Sequence, residues 1–81
     1  MASNQPLDKI VLATPNGCCK TYRAENVSGT PAGTTNDLFV TVRKLNDTSN
    51  TAWVDVRDIR NDHMYAIRKV NGAYKDWITI V

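Results

Sequence analysis

Residues 38 to 81 alternate apolar and polar positions in four segments that are separated by short polar breaks. A period of two places successive side chains on opposite faces of a strand, so each segment is typical of a strand with one buried face. Because the breaks are short, neighbouring segments are expected to pair as antiparallel hairpins. The segments are L-F-V-T-V-R-K-L, T-A-W-V-D-V-R-D-I, H-M-Y-A-I-R-K-V and D-W-I-T-I-V. We therefore predict a β-meander.

The register of this meander follows from the shortest loops that also align the apolar positions, since a slip of one residue exchanges the two faces of a strand. The first two loops, at 46–50 and 59–62, set Arg43 opposite Trp53 and Trp53 opposite Arg68. The third loop, at 71–74, sets Arg68 opposite Trp77. These four residues form one predicted cross-strand row, in which each guanidinium can lie over an indole.

The opposite face of the predicted sheet is apolar and supplies the predicted core. We expect Ile10, Leu12 and one of the two cysteines to cover it, since one thiol of an adjacent pair in a strand points inward. The predicted core residues on the sheet are Leu38, Val40, Val42, Val54, Val56, Tyr65, Ile67, Ile78 and Ile80.

The N-terminal half carries weaker signals. Residues 1–8 are polar and predict a tail or a connection to something N-terminal. Residues 9–13 predict a short strand that ends at the turn T-P-N-G, residues 18–25 a further strand, and residues 27–37 a long surface loop. We predict a single all-β domain over residues 9–81: a small antiparallel meander of about five or six strands, forming a knob or small sandwich with little or no helix.

Composition narrows the possible functions. The chain has 81 residues, and its 10 Lys and Arg against 8 Asp and Glu give a formal charge of +2. So small a domain buries a thin core, which favours a homo-oligomer and, with one strand edge exposed, a homotrimer. The charges are interspersed and nearly balanced, so nucleic acid is not an expected partner. No segment predicts a membrane span or a signal peptide, and we expect synthesis in a cytoplasm.

No constellation of residues points to catalysis, a cofactor or a metal. His63 has no Ser or Cys at a workable spacing, and Asp55 and Asp58 point to opposite faces of one strand. Cys18 and Cys19 have no His or further Cys at ligand spacing, so we assign them no function. We predict that the chain is not an enzyme.

The segment M-Y-A-I-R-K-V-N-G-A-Y-K-D-W-I resembles the pyocin-knob type of module in R-type pyocin and bacteriophage tail fibres. In that family an aromatic-x-x-Arg strand end precedes Asn-Gly, an aromatic residue, two residues and Trp. The resemblance implies a compact β knob in a homotrimeric fibre, exposed to bacterial surface polysaccharide or protein, and it transfers no binding residue. The matching positions are Tyr65, Arg68, Asn71, Gly72, Tyr74 and Trp77.

Two functional hypotheses follow, both placing the chain in a virion or phage-tail-like particle. The first is a recognition module for a bacterial surface, and the alternative is a small structural virion protein that binds neighbouring subunits. In either case the candidate binding or subunit-interface residues are Arg43, Trp53, Arg68, Tyr74 and Trp77, since aromatic and arginine side chains are enriched at such surfaces. A third hypothesis, single-stranded nucleic acid bound on Tyr65, Phe39 and Trp53, is opposed by the balanced charge.

Overall fold

The computed structural model describes residues 2–31, 33–46 and 50–81, with the backbone alone for Ala2 and Ser3. Within these residues seven strands form one sheet, and one helix packs on it. The helix is α1 (Leu7–Ala13). The strands are β1 (Ala2–Ser3), β2 (Cys19–Glu25), β3 (Leu38–Asn46), β4 (Thr51–Asp58), β5 (His63–Val70), β6 (Ala73–Tyr74) and β7 (Ile78–Thr79).

The strands follow one another in space as they do in sequence. The order across the sheet is β1-β2-β3-β4-β5-β6. Strand β7 also pairs with β5, at Tyr65 and Ala66, whereas β6 pairs with β5 at Lys69 and Val70. All pairs are antiparallel except β1 with β2. The predicted fold class, an all-β antiparallel meander with little helix, is confirmed.

The registers predicted for the two central hairpins are also confirmed. Arg43 pairs with Trp53 between β3 and β4, and Trp53 pairs with Arg68 between β4 and β5. Along β3 the burial alternates at each residue from Leu38 to Lys44. The alternation works because every inward position on these strands meets an inward position on the next strand.

The register predicted for the last hairpin is wrong. Asn71 and Gly72 both have positive φ, 51° and 85°, and they form a two-residue turn in place of the predicted four-residue loop. Such a turn needs positive φ at both central positions, which Asn-Gly supplies. Val70 consequently pairs with Ala73, and the chain leaves the ladder after Tyr74 before it returns with Ile78 opposite Ala66.

This change of register moves the end of the chain to the other face. Ile78 and Ile80, predicted in the core, are 50% and 48% exposed. Trp77, predicted on the outer face beside Arg68, packs partly buried against the core. A shift of one residue has this effect because side chains alternate strictly along an extended strand.

The segment 9–13 forms the helix α1 and not the predicted strand, and α1 begins at Leu7, inside the predicted tail. Leu7, Ile10 and Val11 are its buried residues, and their spacing of three and four places them on one helical face. Leu12 lies off that face and is 55% exposed, against its predicted place in the core. Thr14 ends the helix with an extended backbone, as expected for the residue before a proline.

Tyr65 and the two cysteines are also less buried than predicted. Tyr65 points to the covered face but is only partly buried, because α1 does not reach that end of β5. Cys18 and Cys19 are both exposed, whereas one was predicted inside, because burial on β2 begins only at Tyr22. The observed core consists of Leu7, Ile10, Val11, Ala24, Val27, Leu38, Val40, Val42, Ala52, Val54, Val56 and Ile67.

Asp58 ties the long loop 26–37 to the end of the sheet. Its side chain is fully buried, and it accepts hydrogen bonds from the backbone N of Thr35 at 2.8 Å and from Thr35 Oγ1 at 2.5 Å. The backbone N of Asn61 donates to the same carboxylate at 3.3 Å. Burial alone would raise the pKa of Asp58, but these donors, with the backbone N–H of Arg60, bring it below its ordinary value of 3.8.

We expect Asp58→Asn to lower the free energy of unfolding by about 1 to 3 kcal/mol at pH 7, because a buried set of donors loses its charged acceptor. A lowered carboxyl pKa in the folded state stabilises the fold above the pKa of the unfolded chain, and this contribution is lost as the pH falls through the folded-state pKa. Urea unfolding between pH 7 and pH 3 should therefore show a smaller acid loss in Asp58→Asn than in the unsubstituted chain. Asp62→Asn, an exposed change in the same turn, is the control, and an equal effect there would contradict the prediction.

Candidate functional site

The face of the sheet opposite α1 is uncovered, and we call it the open face. Alternation along the strands assigns residues to it, and cross-strand pairing arranges them in rows. Three of the five candidate residues, Arg43, Trp53 and Arg68, lie here in one row, as predicted. The open face comprises Cys19, Thr21, Arg23, Glu25, Phe39, Thr41, Arg43, Trp53, Asp55, Arg57, Met64, Ala66, Arg68, Ile78 and Ile80.

Asp55 organises one end of this face. Trp53 Nε1 donates to Asp55 Oδ1 at 2.8 Å, and Arg43 forms a salt bridge with Oδ2. The hydrogen bond and the charge of Asp55 raise the pKa of Arg43 above its ordinary value. The guanidinium of Arg43 is thus directed to a carboxylate and not to the indole.

The predicted stacking of arginine on tryptophan is therefore wrong for this row. Among the described residues, the cations that lie over rings are Lys20, 5.3 Å from the centroid of Tyr22, and Lys69, 5.1 Å from that of Tyr74. An acidic residue two positions along the strand competes with the ring for the guanidinium, and a charge-assisted hydrogen bond is the stronger contact.

The other two candidates, Tyr74 and Trp77, lie on the helix side of the sheet. They line a groove of about 410 Å³ between the start of α1, the turn at 28–29 and the end of the last hairpin. We call it the aromatic groove. Its lining is Pro6, Leu7, Asp8, Ser28, Gly29, Ile67, Tyr74, Lys75 and Trp77.

An ion pair holds one lining residue of this groove, Asp8, to the buried side chain of Lys69. Asp8 Oδ1 accepts from Lys69 Nζ at 2.9 Å and from the Tyr74 hydroxyl at 2.5 Å. The Lys69 side chain is 5% exposed and that of Asp8 is 47% exposed. We call this arrangement the Asp8 clasp. It fixes the start of α1 against β5 and β6, so the groove and the helix depend on the same contacts.

Burial and the hydrogen bond to Asp8 raise the pKa of Tyr74 far above its ordinary value. The same bond, with that from Lys69, lowers the pKa of Asp8. Both shifts favour one arrangement, a neutral tyrosine that donates to a charged carboxylate. Asp8 lines the groove, and its Oδ2 makes no hydrogen bond with the described residues, so this oxygen is a free acceptor.

Sequence reasoning missed Asp8 and Lys69 as members of a site. Asp8 was placed in the tail, although the helical spacing of Leu7, Ile10 and Val11 would have placed it in the first turn of a helix. Lys69 was not singled out, and no local signal distinguishes it from other strand lysines.

Chemistry beyond binding is little represented in the described part of the chain. No three of its His, Cys, Asp and Glu side chains stand close enough together to hold a metal ion. His63 is exposed at the start of β5, with Nδ1 3.0 Å from the carbonyl oxygen of Val81. In the same residues, no helix has the length and apolar character needed to cross a membrane.

Comparisons with protein-family models, with curated proteins and with solved structures gave no match to this chain. The resemblance to the pyocin-knob module therefore stays a prediction, and the argument for function depends on the open face and the aromatic groove.

The Asp8 clasp gives a test by titration. Of the three tyrosines in the chain, Tyr74 should ionise last when the absorbance at 295 nm is followed with rising pH. Asp8→Asn should bring that ionisation towards the ordinary pKa of 10.0 and should lower the free energy of unfolding by about 1 to 3 kcal/mol, because Lys69 stays buried without a counter-charge. Asp76→Asn, an exposed change nearby, should alter neither quantity. A clasp variant that titrates as the unsubstituted chain does would show that the contact is absent in solution.

Proposed function

We propose that this chain is a non-enzymatic attachment module that binds a carbohydrate of a bacterial surface in the aromatic groove. The observation that carries the proposal is the pairing of two aromatic side chains, Tyr74 and Trp77, with a free carboxylate oxygen of Asp8 in one concave site. Ligand sites of this kind are mostly apolar, with a few polar groups that orient the ligand.

The chemistry of a sugar ring fits these groups. One face of a pyranose carries C–H bonds that stack on an aromatic ring, and its edge carries hydroxyls that need donors and acceptors. Tyr74 and Trp77 offer the rings, Asp8 Oδ2 offers an acceptor, and Lys75 and Ser28 offer donors along the rim. A groove of about 410 Å³ accommodates one or two sugar units.

The setting we propose for this activity is a phage-tail-like particle, in which the resemblance to tail-fibre knobs implies a homotrimer. Two edges of the sheet support self-association. The outer edge of β2 is paired by β1 only at Ala24 and Glu25, and β7 pairs with a neighbour on one side only. Exposed strand edges of this kind pair readily with another chain.

A second candidate function, a structural virion subunit, is favoured by the apolar residues of the open face. Phe39, Trp53, Ile78 and Ile80 are between 37% and 50% exposed on one side of one sheet. A large apolar patch on a small domain marks a contact surface. In this case the open face is buried between subunits, and the particle is held together through it.

The carbohydrate proposal is tested with arrays of bacterial surface polysaccharides and with whole cells. We expect Trp77→Ala to weaken binding about tenfold or more, as for a central aromatic contact. Lys75→Ala, an exposed change that leaves the core intact, should weaken it severalfold, and Trp53→Ala on the other face is the matched control. The melting temperature of each variant separates lost binding from lost folding. An equal effect of Trp53→Ala, or no glycan bound by the unsubstituted chain, would remove the proposal.

Sedimentation velocity at micromolar concentration tests the assembly. We expect a species of about three times the chain mass of 9.0 kDa, because the free edges leave backbone groups that another copy can pair. If the open face forms the contact, Ile78→Asp should dissociate the oligomer, whereas Leu12→Asp on the exposed side of α1 should not. A stable 9.0 kDa monomer would contradict both the trimer and the subunit hypothesis.

A further inference from the structure

The two faces of the sheet carry different cations. All arginines within strands lie on the open face: Arg23, Arg43, Arg57 and Arg68. All lysines within strands lie on the helix-covered face: Lys20, Lys44 and Lys69. The open face sets its four arginines against two carboxylates, Glu25 and Asp55, so it has a local excess of positive charge, and such an excess attracts polyanions.

Two of these arginines are not neutralised by a carboxylate of the described residues. Arg43 is paired with Asp55, and Arg23 is paired with Glu25 at 3.0 Å. Arg57 contacts a sulfur, with Nη2 3.4 Å from Met64 Sδ. The side chain of Arg68 makes no hydrogen bond or ion pair with the described residues. Arg57 and Arg68 therefore give the open face its free positive charge.

Each of these two cations stands beside an exposed aromatic ring. Arg68 pairs across the strands with Trp53, which is 37% exposed, and Arg57 pairs with Phe39, which is 43% exposed. The face therefore repeats one unit, a ring with a neighbouring guanidinium, at two places. A ring that accepts a base and a cation that accepts a phosphate are the two components of sites for single-stranded nucleic acid.

The spacing of the two units suits an extended strand. Trp53 and Arg57 are four residues apart on β4, which corresponds to about 13 Å. This is about four times the 3.4 Å rise per nucleotide of a stacked strand, so bases on the two rings are not consecutive in a stack. A few unstacked nucleotides span the distance. A depression of about 430 Å³ contains the second unit, Phe39 with Arg57, and is lined beside it by Thr21, Thr41 and Asp55.

The chemistry of the open face favours unpaired nucleic acid over a duplex or a second copy. Unpaired bases can stack on exposed rings, which bases inside a duplex cannot do. A second copy packed on this face would bury the charges of Arg57 and Arg68, and a buried charge without a partner is costly. An acidic polysaccharide would also satisfy the arginines and stack on the rings, so the competition of heparin with dT12 in the experiment below distinguishes the two ligands.

We propose that the open face binds single-stranded nucleic acid, with bases stacked on Trp53 and Phe39 and phosphates held by Arg57 and Arg68. This activity goes beyond carbohydrate attachment and uses the opposite side of the domain. It also assigns the exposed rings a role that the third sequence hypothesis gave to Phe39 and Trp53. Tyr65, the remaining residue of that hypothesis, lies on the other face and has no part in the site.

The experiment measures fluorescence anisotropy of labelled oligonucleotides, dT12 and rU12, with the full chain in 50 mM NaCl. A duplex of the same length is the structural control. We expect both single strands to bind more tightly than the duplex, and the ratio of DNA to RNA affinity shows which is preferred. Trp53→Leu and Phe39→Leu should each weaken binding about fivefold or more, since each removes a stacking surface.

Charge variants separate a built site from general attraction. Arg57→Gln and Arg68→Gln should each lower the slope of log affinity against log salt by about 0.7, as for one lost phosphate contact on a single strand. Lys9→Gln removes the same charge from the exposed side of α1 and should change neither slope nor affinity. Circular dichroism of every variant confirms the fold.

The two tryptophans lie on opposite faces, which gives a direct reporter. In a Trp77→Phe background the emission comes from Trp53, and it should be quenched by dT12. The proposal is overturned if neither dT12 nor rU12 binds at 100 μM chain, or if the duplex binds more tightly than the single strands. It is also overturned if Lys9→Gln and Arg68→Gln lose the same affinity for dT12. Heparin that competes with dT12 and whose binding is unchanged by Trp53→Leu would likewise exclude a site built on stacked bases. An oligomer in which Trp53 emission does not respond to dT12 would assign the face to subunit contacts instead.

Discussion

The sheet has two faces, and a single seven-residue helix can cover only one of them. This constraint determines the rest of the molecule. Leu7, Ile10 and Val11 of α1 close the apolar face, where the valines of β3 and β4 are fully buried. No described residue forms a layer over the other face, so whatever the alternation of the strands places there is available to a partner. The apolar half of the pattern makes the core, and the polar half makes the open face.

The helix itself is too short to be stable on its own, since helices of fewer than about twelve residues are marginal in water. Its position therefore depends on tertiary contacts. The polar ones include the Asp8 clasp, the hydrogen bond from Leu7 N to Ser28 O at 3.0 Å and that from Lys44 Nζ to Leu12 O at 3.3 Å. Lys69 is buried with its charge, which is tolerable only because Asp8 and the ring of Tyr74 lie beside it. The partial exposure of Asp8 lets the same carboxylate serve the groove, so one residue connects stability with the candidate site.

The sequence was sufficient for the three central strands because each has a single apolar face and the loops between them are short. It was insufficient for the last hairpin. Trp77 and its neighbours Ile78 and Ile80 would point to opposite faces of a strand, and all three are apolar, so burial favours neither register. Asn71-Gly72 is also compatible with loops of two or four residues. The short run K-I-V-L-A was ambiguous for a related reason, since brief apolar segments fit a strand or a buried helix equally. Arg43, Trp53 and Arg68 were therefore placed correctly, while Trp77 was not and Asp8 was overlooked.

The long reach of the Asp8 clasp has a consequence for the order in which the protein folds. Asp8 and Lys69 are 61 positions apart, whereas the hairpins of the meander join neighbouring segments. Local pairings form early because they close short loops, and distant ones must wait for the chain between them to be ordered. On a ribosome, α1 is made before the strands, and it can meet β3 as soon as that strand has emerged. The Asp8 clasp cannot close until β5 and β6 have also been made, so the side of the apolar face that carries the aromatic groove stays open to water, and to chaperones, for most of the synthesis of the domain.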